Sequence, residues 1–226
     1  MRLLSFDTVT PWVSIAVVSD GELRYEKTWN VGRRHSTEVP RGVQEALAAS
    51  NIDMNGIDGI VVGSGPGSYT GIRIGIALAK GLAMASGCPL VAISSLEAVA
   101  CEFGAREGVI TALAGLGPEL VVMSSFAGPW DSWTRLSDDQ GLPVSEVEAT
   151  IPEGAFLCGW GDQLSRMTLR QKPSGPALTS PRAEILAFLG QRRFDAGASD
   201  EVDTVEPNYL RLSAPEERAN LAEVNH

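Results

Sequence analysis

The chain has 226 residues, 44% of them hydrophobic, and a formal net charge of −10. This length allows one large or two small globular domains. The negative charge makes long-range attraction to nucleic acid unfavourable, so a role near RNA would be indirect or would use a local basic spot at residues 33–34.

The first half of the chain alternates short apolar runs with segments of helical spacing. We predict strands at 3–6, 12–18, 22–29, 57–62 and 89–93. Helices are predicted at 36–49, 72–86 and 94–103, and residues 19–21 form a hairpin turn. This order is that of a ribonuclease H-like layer, a meander followed by right-handed crossovers.

The second half is predicted to hold a smaller layer of the same kind. Strands are predicted at 109–113, 119–125, 130–136 and 155–158, with a solvated turn at 138–141. Ser180 and Pro181 open a helix at 182–194. We therefore divide the chain into an N-terminal ribonuclease H-like domain at 1–103, a reduced second domain with a returning C-terminal helix at 104–212, and a flexible acidic tail at 213–226.

The glycine-rich segment 63–75 is the strongest local pattern in the chain. It follows an apolar strand and offers Ser68 or Thr70 as the cap of the next helix. A helix start of this kind is typical of phosphate cradles. The spacing argues against the two best-known cradles, because a P-loop needs Gly-Lys-Ser/Thr where this chain has Gly71-Ile72-Arg73, and the dinucleotide fingerprint is not kept.

The helix that follows repeats a small residue at every fourth position, at Gly71, Gly75, Ala79 and Ala83. Its other faces are also apolar, which indicates that the helix is internal or covered by a partner. Two interpretations remain open, a core helix beneath a sheet or a ridge against which a helix of another subunit packs. On the second, Gly75→Leu breaks the partner contact and leaves the chain folded.

Asp7, Thr8 and Thr10 follow the first predicted strand. Actin-like ATPases and sugar kinases bind phosphate and metal there with an Asp-x-Gly-Thr turn, but Val9 occupies the glycine position here. The alternative is that Asp7 and Thr8 hydrogen-bond the turn itself. The second phosphate turn of such enzymes is matched to residues 121–128, which carry no carboxylate.

The remaining candidate residues concern nucleotide binding, metal binding, acid–base catalysis and the state of the thiols. Gly159-x-Gly161 could lie beside an adenine. The chain has two histidines, His35 and His226, whereas a catalytic zinc needs about three protein ligands, so no metal site is expected. His35 as a base would need Glu38 to orient it, and a cap or interface role is favoured. Three widely spaced cysteines without a Cys-x-x-Cys pair predict buried free thiols in the cytoplasm.

These motifs together resemble one known family, the bacterial tRNA threonylcarbamoyladenosine biosynthesis protein TsaB (YeaZ) family. The resemblance is carried by Asp7-Thr8-x-Thr10, His35-Ser36, the run 65–75 with Ser68, Tyr69 and Thr70, the box Ser94-Ser95-Leu96-Glu97, and Pro207-x-Tyr209-Leu210-Arg211. The box is also a helix-capping pattern in which Glu97 would bond back to the helix start.

The resemblance implies an α/β fold of the actin-like ATPase/sugar kinase (ASKHA) class, with two βαβ-type domains of which the second is reduced. It implies a noncatalytic scaffold subunit that supports the catalytic paralogue TsaD, with TsaE as the ATPase that joins the pair. It also implies that tRNA is reached only through the complex, that a homodimer forms when TsaD is absent, that ATP or ADP is held at the complex interface rather than by this chain alone, and that no membrane is involved.

In that family the first two helices contact the partner, which here are the segments 36–49 and 72–86. The expected interface residues are Gly71, Ile72, Arg73, Gly75, Ile76, Ala79, Val43 and Leu47. Arg73 is expected to pair with an acidic group of the partner.

The chain departs from the family pattern in its second half. The family's Asp-Ala-Arg and Glu-Val-Tyr segments are aligned with residues 124–126 and 129–131, which differ from them. The second domain is therefore expected to have only a structural role. The rival interpretation is a small independent ATPase or sugar kinase that uses Asp7, Thr10 and Gly161 and loses its turnover in Asp7→Ala.

Overall fold

The structure is a computed structural model that describes residues 1–105, 107–161, 164, 167 and 180–208. Its strands are β1 Arg2–Asp7, β2 Trp12–Ser19, β3 Glu22–Asn30, β4 Gly59–Gly63, β5 Leu90–Ile93, β6 Val109–Gly115, β7 Leu120–Ala127, β8 Thr134–Arg135, β9 Gln140–Pro143 and β10 Phe156–Trp160. Its α-helices are α1 His35–Ala49, α2 Tyr69–Ser86, α3 Ser95–Cys101, α4 Val144–Thr150 and α5 Ala183–Asp195.

The first sheet has the strand order β3-β2-β1-β4-β5. Strands β1, β2 and β3 form the predicted antiparallel meander, and β4 and β5 run parallel to β1. The predicted hairpin turn is confirmed, with Asp20 and Gly21 at φ of 55° and 79°, as a two-residue turn between twisted strands requires.

Helices cover both faces of this sheet because side chains alternate along each strand. Ser5 and Ser14 face α5, since the Ser5 hydroxyl donates to the Ala183 carbonyl at 2.7 Å and the Ser14 hydroxyl accepts the Ala183 N–H at 2.9 Å. Ile15 faces the other way, against Gly42 of α1. Helix α2 packs beside α1 over β1, β4 and β5.

The second sheet repeats the core of the first. Strands β6 and β7 form an antiparallel hairpin and β10 lies parallel to β6, as β4 lies beside β1. The order is β10-β6-β7-β8, with β9 also paired to β7. Helix α3 lies between the sheets and contacts β6, β7, β10 and α5, so one apolar core reaches across both layers.

Two expectations for the second half differ from the structure. The strand predicted at 130–136 is a 3-10 turn, Trp130–Ser132, followed by the two-residue strand β8; the Trp130 indole N–H donates to the Cys101 carbonyl at 2.9 Å and so holds the turn against α3. The solvated turn predicted at 138–141 is confirmed in part: Asp138, Gln140 and Gly141 are exposed, but the Asp139 side chain is 6% exposed and ion-paired, and residues 140–141 begin β9.

The first residues of three helices can be compared with the predicted helix caps. Ser68 caps α2, because its hydroxyl accepts the Gly71 N–H at 3.2 Å, and Thr70 does not take that position. Ser94 precedes α3 but makes no capping bond, so the predicted capping box is wrong. At α5 the cap position belongs to Arg182 rather than Ser180.

Other expectations stand as follows. The free thiols are confirmed, with Cys101 and Cys158 buried and Cys88 partly buried. Within the described part of the chain, no helix is long and apolar enough to cross a membrane. Tyr209, Arg211 and the tail 213–226 lie outside the described residues.

Candidate functional site

The ridge of small residues on α2 faces the interior. A Cβ on Gly71 would overlap the Thr8 carbonyl, one on Gly75 would overlap the Thr8 hydroxyl, and Ala79 is fully buried. The small residues therefore let α2 approach the turn after β1, where the Thr8 hydroxyl donates to the Gly71 carbonyl at 2.8 Å. The expectation that Gly71, Gly75 and Ala79 form an outward ridge is wrong, because the protein's own turn fills that space.

The other expected interface residues divide between the two sides of the helices. Ile72, Ile76 and Val43 are buried in the core, so they are not available to a partner in this conformation. Leu47 is half-buried, and Arg73 is exposed with its guanidinium 4.1 Å from the centroid of the Tyr69 ring.

The outward face of α2 carries a second stripe that the sequence analysis missed, with three small residues and an arginine at one end. We define this outward stripe as Arg73, Ala77, Gly81 and Ala85, which are all exposed at every fourth position. A Cβ on Gly81 would meet nothing within 4 Å, and the neighbouring Met84 is 69% exposed. The repeat was visible in the sequence, but the sequence did not say which of two similar stripes faces the sheet.

The Asp7 carboxyl group is fully buried and bonded to its own chain. Its Oδ2 accepts the Ser95 hydroxyl at 2.6 Å and its Oδ1 accepts the Val9 N–H at 2.9 Å. Burial raises the pKa of Asp7 from 3.8 to about 6, and the two hydrogen bonds oppose the rise. Thr10 likewise bonds the backbone of Trp12. The interpretation that Asp7 hydrogen-bonds the turn is confirmed, whereas the Thr8 hydroxyl bonds Gly71 of α2 instead of the turn.

Histidine 35 fixes this turn from the side of α1. Its Nε2–H donates to the Thr10 carbonyl at 2.9 Å. Glu38, which would have oriented a catalytic base, instead binds Arg34 at 3.1 Å. From the side of α2, the Ser68 N–H donates to the Val9 carbonyl at 2.7 Å. The turn at residues 8–11 is thus held between the starts of both helices.

The structure does not bring Gly159 and Gly161 into an open cradle. Gly159 is buried at φ 141°, and a Cβ there would overlap the Leu113 carbonyl, so this glycine serves the close pairing of β10 with β6. Gly161 follows β10 at φ 118° and is half-buried.

The counterpart of the turn at residues 8–11 is the β6–β7 turn at residues 116–119, because both join the antiparallel hairpin of their sheet. The earlier assignment of a second phosphate turn to residues 121–128 is wrong, since nearly all of that segment is strand β7. The β6–β7 turn carries one carboxylate, the exposed Glu119.

Glu97 takes part in an ion pair rather than in a helix cap. The Arg135 guanidinium donates to Glu97 at 3.2 Å and to Asp139 at 2.8 Å, which joins α3 to the second sheet. Among the described residues, no three His, Cys, Asp or Glu side chains are grouped so that they could hold a metal ion.

Two sheets of like topology, helices on both faces and a hairpin turn at the head of each sheet define the α/β class of actin-like ATPases and sugar kinases. A family model for TsaD, tRNA N6-adenosine threonylcarbamoyltransferase, matches residues 30–127. The chain is 28% identical to the tRNA threonylcarbamoyladenosine biosynthesis protein TsaB of Haemophilus influenzae, over 93% of this chain and 94% of that protein. It is 29% identical to TsaB of Escherichia coli, over 93% and 95%.

Two solved structures share the fold of this chain. YeaZ from Pseudomonas aeruginosa superimposes with a TM-score of 0.80 at 24% identity, over 92% of this chain and 99% of that chain. A Pseudomonas aeruginosa protein described as similar to peptidase YEAZ gives a TM-score of 0.82 at 26% identity, over 93% and 99%. The chain is therefore similar to proteins named TsaB and YeaZ over more than nine-tenths of its length.

Proposed function

We propose that this chain is a noncatalytic scaffold subunit in the formation of N6-threonylcarbamoyladenosine in tRNA, and that it binds and supports a TsaD-type transferase. Similarity to TsaB proteins over more than nine-tenths of the chain supports the pathway. The arrangement of the turn at residues 8–11 supports the noncatalytic role, because Asp7, Thr8 and Thr10 all bond their own chain.

The outward stripe on α2 is the observation that carries the partner-binding part of this proposal. Small side chains at Ala77, Gly81 and Ala85 let a second helix approach closely, and the exposed thioether of Met84 offers adaptable apolar contact beside them. Arg73 lies at one end of the stripe, where an acidic group of the partner would pair with it. Helix α1 packs beside α2, so Leu47 and its neighbours extend the same side of the sheet.

The remaining partners are part of the same proposal. The chain alone binds no cofactor, and ATP or ADP is held at its interface with TsaD, where the ATPase TsaE joins the pair. A net charge of −10 favours contact with tRNA only through the complex. In the absence of TsaD the outward stripe pairs two copies of the chain, and the protein acts in the cytoplasm.

The test uses an exposed alanine on each domain. Ala77 lies on the outward stripe, and Ala149 is an exposed helical alanine on α4. We expect Ala77→Arg to weaken binding to the same organism's TsaD by at least about 100-fold, because a long cation prevents close helix approach. The matched control Ala149→Arg should bind as the unaltered protein does. Binding is measured by calorimetry, and co-elution by size-exclusion chromatography with light scattering.

Both variants should keep the far-UV circular dichroism and the unfolding temperature of the unaltered chain, since both side chains are exposed. The same chromatography, without TsaD, should show Ala77→Arg as a monomer where the unaltered chain is a dimer. Undiminished affinity of Ala77→Arg for TsaD would refute the outward stripe as the binding surface.

A further inference from the structure

The carboxyl ends of the parallel strands β1, β4 and β5 meet at one edge of the first sheet. In open α/β sheets, ligands bind in the crevice outside this edge. Here the edge continues into Ser64, which follows β4, and Ser94, which follows β5. Ser94 reaches the second sheet, because its hydroxyl bonds Asp139, so the crevice lies at the boundary between the two layers.

Asp139, which precedes β9 of the second sheet, fills this crevice with its carboxylate. Its Oδ2 accepts the Ser94 hydroxyl at 2.8 Å and the side-chain amide N–H of Asn208 at 2.8 Å. Its Oδ1 accepts the Arg135 guanidinium at 2.8 Å, and Arg135 also reaches Glu97. Both carboxylate oxygens are thus bonded, and the side chain is 6% exposed.

Asn208 reaches the crevice at the end of a strap that crosses the first sheet. We define the strap as residues 200–208. Its backbone pairs with Leu90 at Asp200, and the Asn208 N–H donates to the Ser64 carbonyl at 2.9 Å. Between these ends, the Lys80 ammonium group of α2 donates to the carbonyls of Asp203 and Val205 at 3.0 and 3.1 Å.

A hydroxyl, a carboxamide and a guanidinium that converge on two oxygens are the donor set with which proteins bind small oxyanions. We propose that Asp139 is an internal anionic ligand for this set, and that it latches the second sheet and the strap onto the ligand-binding edge of the first sheet. The latch closes the crevice, so an external oxyanion reaches these donors only when the Asp139 carboxylate is removed. The latch uses none of the residues of the outward stripe, so a result that refutes the latch leaves the proposed partner binding intact.

The test compares Asp139→Ala with Asp138→Ala, which truncates the exposed neighbouring carboxylate. Hydrogen exchange is followed in the full chain at the backbone N–H of Asn208, which donates to the Ser64 carbonyl, and at the backbone N–H groups of β1. We expect Asp139→Ala to speed exchange at Asn208 at least tenfold and to leave β1 unchanged. Asp138→Ala should exchange as the unaltered chain does. Sodium formate, which supplies the missing carboxylate, should slow exchange at Asn208 again, and sodium chloride at equal ionic strength should not.

Two results would overturn the proposal, namely unchanged exchange at Asn208 in Asp139→Ala, or rescue by chloride as strong as rescue by formate. If Asp139→Ala does not fold, Ser94→Ala removes one donor only. The Ser94 hydroxyl helps to hold the Asp139 carboxylate that also accepts from the Asn208 side chain. Ser94→Ala should therefore loosen Asp139 and speed exchange at the Asn208 backbone N–H severalfold. No change there would contradict the latch as directly.

Discussion

At the scale of single residues, Asp7 is a candidate site residue whose carboxylate is bonded within its own chain. The sequence placed a carboxylate at the end of the first strand, where related folds bind phosphate. The structure turns it toward Ser95 and the Val9 N–H, in a space that Gly63 keeps open, since a Cβ there would overlap the Asp7 carboxylate. Burial makes the ionised form costly, and the pKa of Asp7 rises to about 6.

This shift predicts that the free energy of unfolding falls as pH rises from about 4 to above 6. In that range the unfolded chain loses the Asp7 proton, at a pKa of 3.8, while the folded chain still holds it up to about 6. This contribution to the free energy of unfolding is fully present below the pKa of the unfolded state, and it is lost as pH rises through the pKa of the folded state, about 6. The total loss is up to roughly 3 kcal/mol, at about 1.36 kcal/mol per pKa unit. Urea unfolding at pH 4 to 8 measures it.

Asp7→Asn is the control for this titration. The amide oxygen still accepts the Val9 N–H, and the amide nitrogen can donate to Ser95, but no charge forms as pH rises. The pH dependence between 4 and 7 should therefore be flatter in Asp7→Asn than in the unaltered chain. Equal slopes in the two proteins would show that Asp7 does not titrate in this range.

At the scale of elements, α2 carries two small-residue stripes with different tasks. Gly71, Gly75 and Ala79 seal the helix to its own sheet, and the outward stripe with Gly81 lies in solvent. The helix, its cap at Ser68 and its partner α1 were predictable, because capping and periodicity are local properties. Which stripe faces inward was not, because both satisfy the same spacing and only the position of Thr8 distinguishes them.

Matched glycine substitutions on α2 separate the two stripes. Gly75→Ala should destabilise the chain by about 1–3 kcal/mol, because its Cβ would overlap the buried Thr8 hydroxyl. Gly81→Ala should be neutral or stabilising by up to about 1 kcal/mol, because alanine favours the helix and nothing lies within 4 Å. Chemical unfolding of both variants gives the two values. Gly75→Leu is then expected to damage the fold itself, rather than only partner binding; equal stability of the two alanine variants would contradict this.

At the scale of the whole molecule, the chain returns to complete its first layer. Helix α5 covers the face of the first sheet opposite α1 and α2, where Gly190 packs on Val61 and Phe194 lies against Gly59. A domain drawn at residues 1–103 therefore lacks one of its covering helices, and its sheet would expose apolar side chains.

We predict that a fragment of residues 1–103 does not unfold cooperatively, because the face under α5 is left in water. The same fragment joined by a flexible linker to residues 180–208 should regain a cooperative transition. Thermal melts by circular dichroism and binding of a hydrophobic dye compare the two. Cooperative melting of residues 1–103 alone, without dye binding, would show that the first layer is stable without α5.

The sequence by itself determined what depends on neighbours along the chain. These features are the order of the first eight elements and the hairpin turn at residues 19–21. The tertiary structure decided what depends on contacts between distant residues. Residues 130–132 were predicted to be part of a strand but form a 3-10 turn, because Trp130 bonds Cys101. Asp139 was predicted in a solvated turn, but its side chain is only 6% exposed, because Ser94, Arg135 and Asn208 all bond it. Local patterns fix an element and its faces, and only packing selects the face that meets the core, because burial free energy is shared among segments far apart in sequence.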